Sequence, residues 1–408
     1  MKPRSVAIVQ SNDIMPTNAD GSMGFMQNSN LFYLTGVDQE ESIVMIAPDF
    51  PDEKLREVLF LRETNEEIAV WEGHKLTKEE GWNTSGIKNI KWNTEFEKMF
   101  YTILAECDNI YLESNEHIRN ASLVETKNAR FIRECQAQYP LYNYERLFPI
   151  LQDLRCVKSP IEIDLMQQAC DITEKGFRRI LEFVKPGVME YEVEAEYLHE
   201  FVRNRSKGFA YEPIIGGGGS SCVLHYLENN RELKDGDILL MDVGAEYANY
   251  NADMTRTIPI NGKFTKRQKD VYNAVLRVKN AATELLKPGN RVPEYHAEVG
   301  KLMEKELVDL GLISLDEIKN ENPEWPAYKK YFMHGTSHHI GIDVHDVASI
   351  YKVFEEGMVF TVEPGIYIPE ENIGIRIEDD IVVTKEGHVN LMKNIPIEAD
   401  EIEDIMNK

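Results

Sequence analysis

The chain has 408 residues, 42% of them hydrophobic and 28% charged, with a formal net charge of −25. That length exceeds what one hydrophobic core usually serves and points to two domains of ordinary globular composition. The acidic excess excludes nucleic acid and anionic membrane as partners, because both select for Lys and Arg. No apolar run reaches the ~18 residues of a membrane-spanning helix. The run Val6-Ala7-Ile8-Val9 is too short for a signal-peptide core and reads as a first strand. The five cysteines (Cys107, Cys135, Cys156, Cys170 and Cys222) are odd in number and lack CxxC spacing. This argues against a disulfide framework or a zinc knuckle, and reduced thiols fit a cytoplasmic protein.

In chain order, short apolar runs at 42–47, 58–61 and 110–112 alternate with amphipathic stretches such as 95–106, an α/β pattern. Residues 151–158 read as a linker or a final strand. Ser159-Pro160-Ile161-Glu162 is a capping box with Pro at the first helical position, and Lys185-Pro186-Gly187 ends the helix it starts. The boundary is therefore expected after residue 154, giving domains 1–154 and 155–408. A second long helix ends at Lys287-Pro288-Gly289. After each helix come another amphipathic segment and a pair of strands with two acids, a faint internal repeat. Gly216-Gly217-Gly218-Gly219-Ser220-Ser221 lacks the Gly-Lys-Ser/Thr of a phosphate loop and reads as a flexible loop beside a site, with His225 soon after. Residues 316–332 read as an insertion or loop, and the acidic stretch 398–404 as a solvated terminus.

The chemistry concentrates in the last 170 or so residues. Asp242 interrupts the apolar run Ile238-Leu239-Leu240-Met241-Asp242-Val243-Gly244, and Asp253 opens its return strand. A hairpin folded about the Tyr247-Ala248 peptide bond sets the two acids directly opposite, where like charges destabilise unless a cation lies between them. Glu363 ends a strand before a Pro-Gly turn. Alternation through Gly374-Ile375-Arg376-Ile377-Glu378-Asp379-Asp380 puts Arg376, Glu378 and Asp380 on one face. Of ten histidines, four (His334, His338, His339 and His345) fall in one short segment with two glycines. If that segment is extended, His338 and His339 point to opposite faces, and the residues alone do not choose between them. Four carboxylates and one imidazole make a ligand set for hard divalent cations, and a pair of cations sharing carboxylates is expected.

These blocks resemble the catalytic domain of the pita-bread metallopeptidases: methionine aminopeptidases, Xaa-Pro aminopeptidases and Xaa-Pro dipeptidases (prolidases). The matching runs are Met241-Asp242-Val243-Gly244, Asp253-Met254-Thr255-Arg256-Thr257, His334-Gly335-Thr336-Ser337-His338, Val362-Glu363-Pro364-Gly365 and Arg376-Ile377-Glu378-Asp379. Met26-Gln27-Asn28-Ser29-Asn30-Leu31-Phe32-Tyr33-Leu34-Thr35-Gly36 resembles a segment in the N-terminal domain of Xaa-Pro aminopeptidases, which methionine aminopeptidases lack. The resemblance implies an α/β N-terminal domain followed by an α+β pita-bread catalytic domain with internal pseudo-twofold symmetry.

The resemblance further implies that Asp253 and Glu378 bridge two ions, that Asp242 completes one, and that His338 with Glu363 completes the other. Manganese is the family expectation, with cobalt, zinc or iron able to substitute. The implied reaction is hydrolysis of the N-terminal Xaa-Pro bond by a hydroxide generated by the ion pair, with Glu363 moving the proton. His345 would donate a hydrogen bond to the intermediate, and His225 would line the same pocket. His334 and Arg376 match residues around the substrate, although Arg376 also reads as a partner of the Glu378 carboxylate. A prolidase restricted to dipeptides is the alternative, and a non-catalytic peptide-binding protein on the same fold a remote one. A homo-oligomer, dimer or tetramer, is expected. Trp71 resembles a loop residue that reaches a neighbour's site in oligomeric members, but reads as well or better as a core tryptophan.

Overall fold

Alternating apolar runs build the first half of the chain around one sheet. A computed structural model describes residues 1–408, which divide into the units Met1–Leu154 and Arg155–Lys408. The first unit contains β1 (Ser5–Gln10), α1 (Ser29–Thr35), β2 (Ile43–Ile46), β3 (Glu57–Leu61), α2 (Glu66–Glu72), α3 (Lys78–Ser85), β4 (Ile90–Trp92), α4 (Phe96–Leu104), β5 (Asn109–Leu112), α5 (Lys127–Gln138) and β6 (Asn143–Arg146). The sheet order is β4-β3-β2-β1-β5-β6, with β1, β5 and β6 mutually parallel. The two-residue period of β1 sends Val6 and Ile8 into the cluster under α4 and α5, and Ala7 and Val9 into the opposite cluster with Leu31 of α1.

The Gln27–Gly36 block is a capping device. The Asn28 side chain accepts from the backbone N–H groups of Asn30 and Leu31, and Gly36 closes the helix at φ 66°. Asn28 and Asn30 both donate to the buried carboxylate of Glu113. Trp71 is not a core residue: it is 85% exposed on α2, because that short helix buries none of its residues. Residues 148–156 are likewise neither linker nor strand. They form α6 (Phe148–Cys156), with Pro149 in the first turn, where a missing N–H costs no hydrogen bond.

The second unit opens with α7 (Pro160–Phe183), whose Ser159 capping box forms as the sequence dictates, and α8 (Glu190–Arg203). There follow β7 (Ile214–Gly217), β8 (Ile238–Val243), the small hairpin β9 (Glu246–Tyr247) and β10 (Tyr250–Asn251), and β11 (Met254–Pro259). A second helix pair, α9 (Lys266–Glu284) and α10 (Val292–Asp309), precedes the short α11 (Leu315–Lys319). The last strands are β12 (Val359–Val362), β13 (Gly365–Ile368), β14 (Ile373–Arg376), β15 (Asp379–Thr384) and β16 (Gly387–Asn390), and α12 (Ala399–Met406) ends the chain. A helix pair followed by antiparallel strands thus occurs twice. No helix is long and apolar enough to cross a membrane.

Three local expectations change. The glycine run is not a flexible loop. It is strand β7 followed by a tight, mostly buried 3₁₀ turn (Gly218–Cys222). The glycines there permit close approach: a Cβ on Gly216 would meet the Ser220 backbone at 3.0 Å. The acidic terminus is not merely solvated either. Glu403 of α12 is buried and accepts from Lys263, Lys269 and the Phe264 N–H. The segment 316–332 contains α11 and a 3₁₀ turn (Ala327–Lys330) rather than an unstructured loop.

Candidate metal centre

The β8–β11 hairpin supplies two acids, in a register two residues away from the expected one. Asp242 faces Thr255, not Asp253. The turn centres on Ala248 and Asn249, both at positive φ (51° and 64°), one residue later than the sequence reading placed it. Because the shift is two residues, both acids keep the same face. The Tyr211 hydroxyl lies 2.6 Å from one oxygen of each, so it ties them together.

The other acids arrive from the second strand group. Glu378 follows β14, anchored by its N–H on the Thr255 carbonyl at 3.0 Å. Its Oε2 accepts from the Thr255 hydroxyl at 2.7 Å. Glu363 follows β12, and its Oε1 lies 3.9 Å from His338 Nε2. His338 Nε2 stands 3.4 Å from Asp253 Oδ2. His338 Nδ1 is 2.9 Å from the His339 carbonyl oxygen; donating there leaves Nε2 as the lone-pair nitrogen facing the acids. His339 turns away, buried 4.1 Å from the Phe360 ring. One ligand atom each from Asp253, His338 and Glu378 all lie within 4.8 Å of one another.

The remaining candidates surround this group. Arg376 Nη2 pairs with Asp242 Oδ2 at 2.6 Å, and Arg376 Nε donates to the Thr255 hydroxyl rather than to Glu378 itself. Arg376 Nη1 also donates to the Tyr367 hydroxyl at 2.8 Å, which lies 2.7 Å from His334 Nε2. Burial and Arg376 push His334 down to about 3, so its neutral ring accepts from Tyr367 and donates through Nδ1 to the Gly335 carbonyl. The His345 ring sits edge-on to His338 at 4.4 Å. His225 is exposed near His334, whose charge it disfavours. Tyr211, Thr255 and Tyr367 are site residues that sequence reasoning missed. Thr255 lies inside a strand pattern that was legible, but a hydroxyl in an apolar strand carries no metal signal by itself; Tyr367 lies on β13, where a turn was expected.

The buried acids fall into two electrostatic groups. Burial, reinforced by neighbouring carboxylates, pushes Asp253 and Glu378 well above the carboxylate range. Burial also pushes Glu363 up to about 7, with His338 opposing. Asp379, next in sequence to Glu378, behaves oppositely. Despite burial, Arg256 and Lys279 hold it well below the usual range, with Arg256 Nη2 at 2.6 Å. Glu378 Oε1 is buried and has no hydrogen-bond partner. An orphaned carboxylate oxygen beside an imidazole nitrogen and a second carboxylate is the donor set a divalent cation satisfies. The residues present fit such ions.

Residues 164–385 match metallopeptidase family M24, and residues 1–111 match the N-terminal domain of aminopeptidase P. The chain belongs to family M24. This M24 metallopeptidase is 35% identical to the Xaa-Pro aminopeptidase of Haemophilus influenzae, across all of this chain and 94% of that one. Its structure superposes on proline aminopeptidase P II from Yersinia pestis with a TM-score of 0.88 at 35% identity, covering 100% of this chain and 96% of that one. Zinc-substituted Escherichia coli aminopeptidase P in complex with product matches with a TM-score of 0.87 at 34% identity, covering 100% and 95%. The two-domain aminopeptidase P fold therefore accounts for the whole chain.

Proposed function

We propose that this M24 hydrolase is an Xaa-Pro aminopeptidase, releasing the first residue of peptides that carry proline second. The full-length relation carries the reading: Xaa-Pro aminopeptidases align with every residue of this chain, N-terminal domain included. A prolidase shares the metal site, but the N-terminal domain matches the aminopeptidase P type. A binding protein on a dead fold would be expected to lose a ligand, and none is lost.

Asp253, His338 and Glu378, joined by Glu363, would hold one cation. Asp242, with Asp253 and Glu378, would hold a second. Manganese suits so carboxylate-rich a set, with cobalt, zinc or iron as substitutes. Bound cations supply Lewis-acid charge and a water of lowered pKa. Glu363 would take the proton of the nucleophilic water and return it to the leaving nitrogen. His345 would donate a hydrogen bond to the intermediate, and His225 would line the same pocket. His334 and Arg376 would border the substrate, with Arg376 also fixing Asp242. Assembly as a dimer or tetramer is supported by the exposed apolar pair Val70 and Trp71 on α2. A cytoplasmic location is supported by five cysteines that are all free.

The test is hydrolysis of a matched pair, Xaa-Pro and Xaa-Pro-Yaa, by metal-stripped protein with and without Mn²⁺. Manganese-dependent release of the first residue from the tripeptide, with little action on the dipeptide, is expected. Dipeptide-only cleavage would make the protein a prolidase. Absence of cleavage with metal bound would end the peptidase reading.

A further inference from the structure

The N-terminal unit contains a cleft with no part in the chemistry above. Its floor is Gln10, the last residue of β1, paired with Ile43, the first of β2. Gln10 lies at the carboxyl end of the parallel strands. There the end of β1 lies beside the start of antiparallel β2, and α4 and α5 cover this face of the sheet. The cleft has a volume of 290 Å³, close to the lower bound of small-molecule sites at about 300 Å³.

Its lining is chemically ordered. Gln10 is 6% exposed, and its amide nitrogen is buried with no hydrogen-bond partner. An unpaired buried amide is destabilising unless something occupies the space before it. Above it stand four aromatic rings. Phe96 and Phe100 are stacked at 5.5 Å, Phe131 is 6.0 Å from each, and Tyr139 is 5.8 Å from Phe100. At the mouth, Glu97 of α4 and Glu134 of α5 are exposed carboxylates with no ion-pair partner. Lys127 lines the adjoining hollow, with its Nζ 3.3 Å from Ser11 Oγ, and makes no ion pair with either acid. Aromatic walls below two exposed acids, neither held in an ion pair within 4 Å, attract an organic cation. The amide at the floor asks for an acceptor at the ligand's far end.

We propose that the α4–α5 cleft binds a small amphipathic amine, with an ammonium group at the mouth, an apolar body among the rings and an acceptor oxygen on Gln10. Tyramine has this chemistry and serves as the probe. Full-length protein carrying ¹³C-methyl isoleucine is titrated with tyramine while the Ile43 methyl resonance is followed. The expected result is a saturable shift at Ile43. Phenethylamine, which lacks the oxygen, should bind about tenfold more weakly, the size of one hydrogen bond to a buried amide. Gln10→Leu should abolish that preference for tyramine, and the double change Glu97→Gln with Glu134→Gln should weaken both amines. The surface pair keeps the test decisive if the floor variant folds poorly. No shift at Ile43 with millimolar tyramine overturns the proposal. So does equal binding of the two amines, or binding indifferent to the loss of both carboxylates.

Discussion

Glu378 and Asp379 are adjacent acids, both buried, with opposite surroundings. Asp379 is matched by Arg256 and Lys279, whereas Glu378 Oε1 has no hydrogen-bond partner. Their substitutions should therefore fail in different ways. Glu378→Ala, like Asp253→Ala, should leave the fold standing and abolish turnover, and near-normal kcat/KM in either would sink the dinuclear assignment. Asp379→Asn should cost roughly 3–5 kcal/mol of stability by stranding buried cations, read as a fall in unfolding midpoint. The histidine pair separates similarly. His338→Ala should lose metal binding, whereas His339→Ala removes a ring packed on Phe360 and should lower stability more than turnover per folded molecule. The four proposed acids were legible because a charge inside or at the end of an apolar run is anomalous, whereas His338 was separated from His339 only by the resemblance. Tyr211 was not legible, because a tyrosine near a strand is ordinary. Its hydroxyl is 2.6 Å from two proposed ligands. Tyr211→Phe should therefore weaken metal affinity by about 10–100-fold, as loss of an outer partner does, with calorimetric titration as the readout.

Elements were read more reliably than their registers. The first strands, the Ser159 helix start and the Pro-Gly stop after Glu363 follow from alternation and capping chemistry, and each appears where expected. The β8–β11 hairpin turns on Ala248-Asn249, which lacks the Asn-Gly or Asp-Gly signature that fixes a two-residue turn. Its register was therefore off by two, and the acids stayed on one face because two is the strand period. The Gly216–Gly219 run was misread in the other direction, as flexible. Gly216 and Gly374 are places of close approach: a Cβ on Gly374 would stand 2.1 Å from the Ser221 carbonyl oxygen. Gly244 is the most confined, because a Cβ there would lie 1.7 Å from the Ala252 carbonyl oxygen, a backbone atom that cannot step aside. Gly244→Ala should force the hairpin open between Asp242 and Asp253. Expected outcomes are loss of metal binding and a strongly lowered unfolding midpoint, and a variant with parent-like stability would contradict the geometry.

At the scale of the molecule, the acid cluster couples stability, pH and metal. Glu363 has a folded value raised to about 7, against roughly 4.3 unfolded. Asp253 and Glu378 are raised as well. A raised carboxyl favours the folded state while protonated. Its contribution is complete below the unfolded value and lost as pH rises through the folded one. Asp346 has the opposite sign. Although burial opposes ionisation, Arg155 and Lys158 hold it down at about 2, so its contribution is present at neutrality and lost as pH falls from about 3.9. Metal-free protein should therefore be most stable near about pH 4, between these two windows, and lose unfolding temperature from about pH 4.3 to about pH 7. Cations require the same carboxylates ionised, so their binding releases protons and tightens as pH rises, and ligand-linked stabilisation grows with it. With Mn²⁺ the unfolding temperature should rise over the interval in which the chelator-treated protein falls. Calorimetry in two buffers of different ionisation enthalpy should record proton release on metal uptake. Parallel stability curves with and without Mn²⁺ would mean that these carboxyls do not hold the metal. Asp253→Asn should flatten the divergence without touching the acid limb set by Asp346, which separates a metal effect from general acid denaturation.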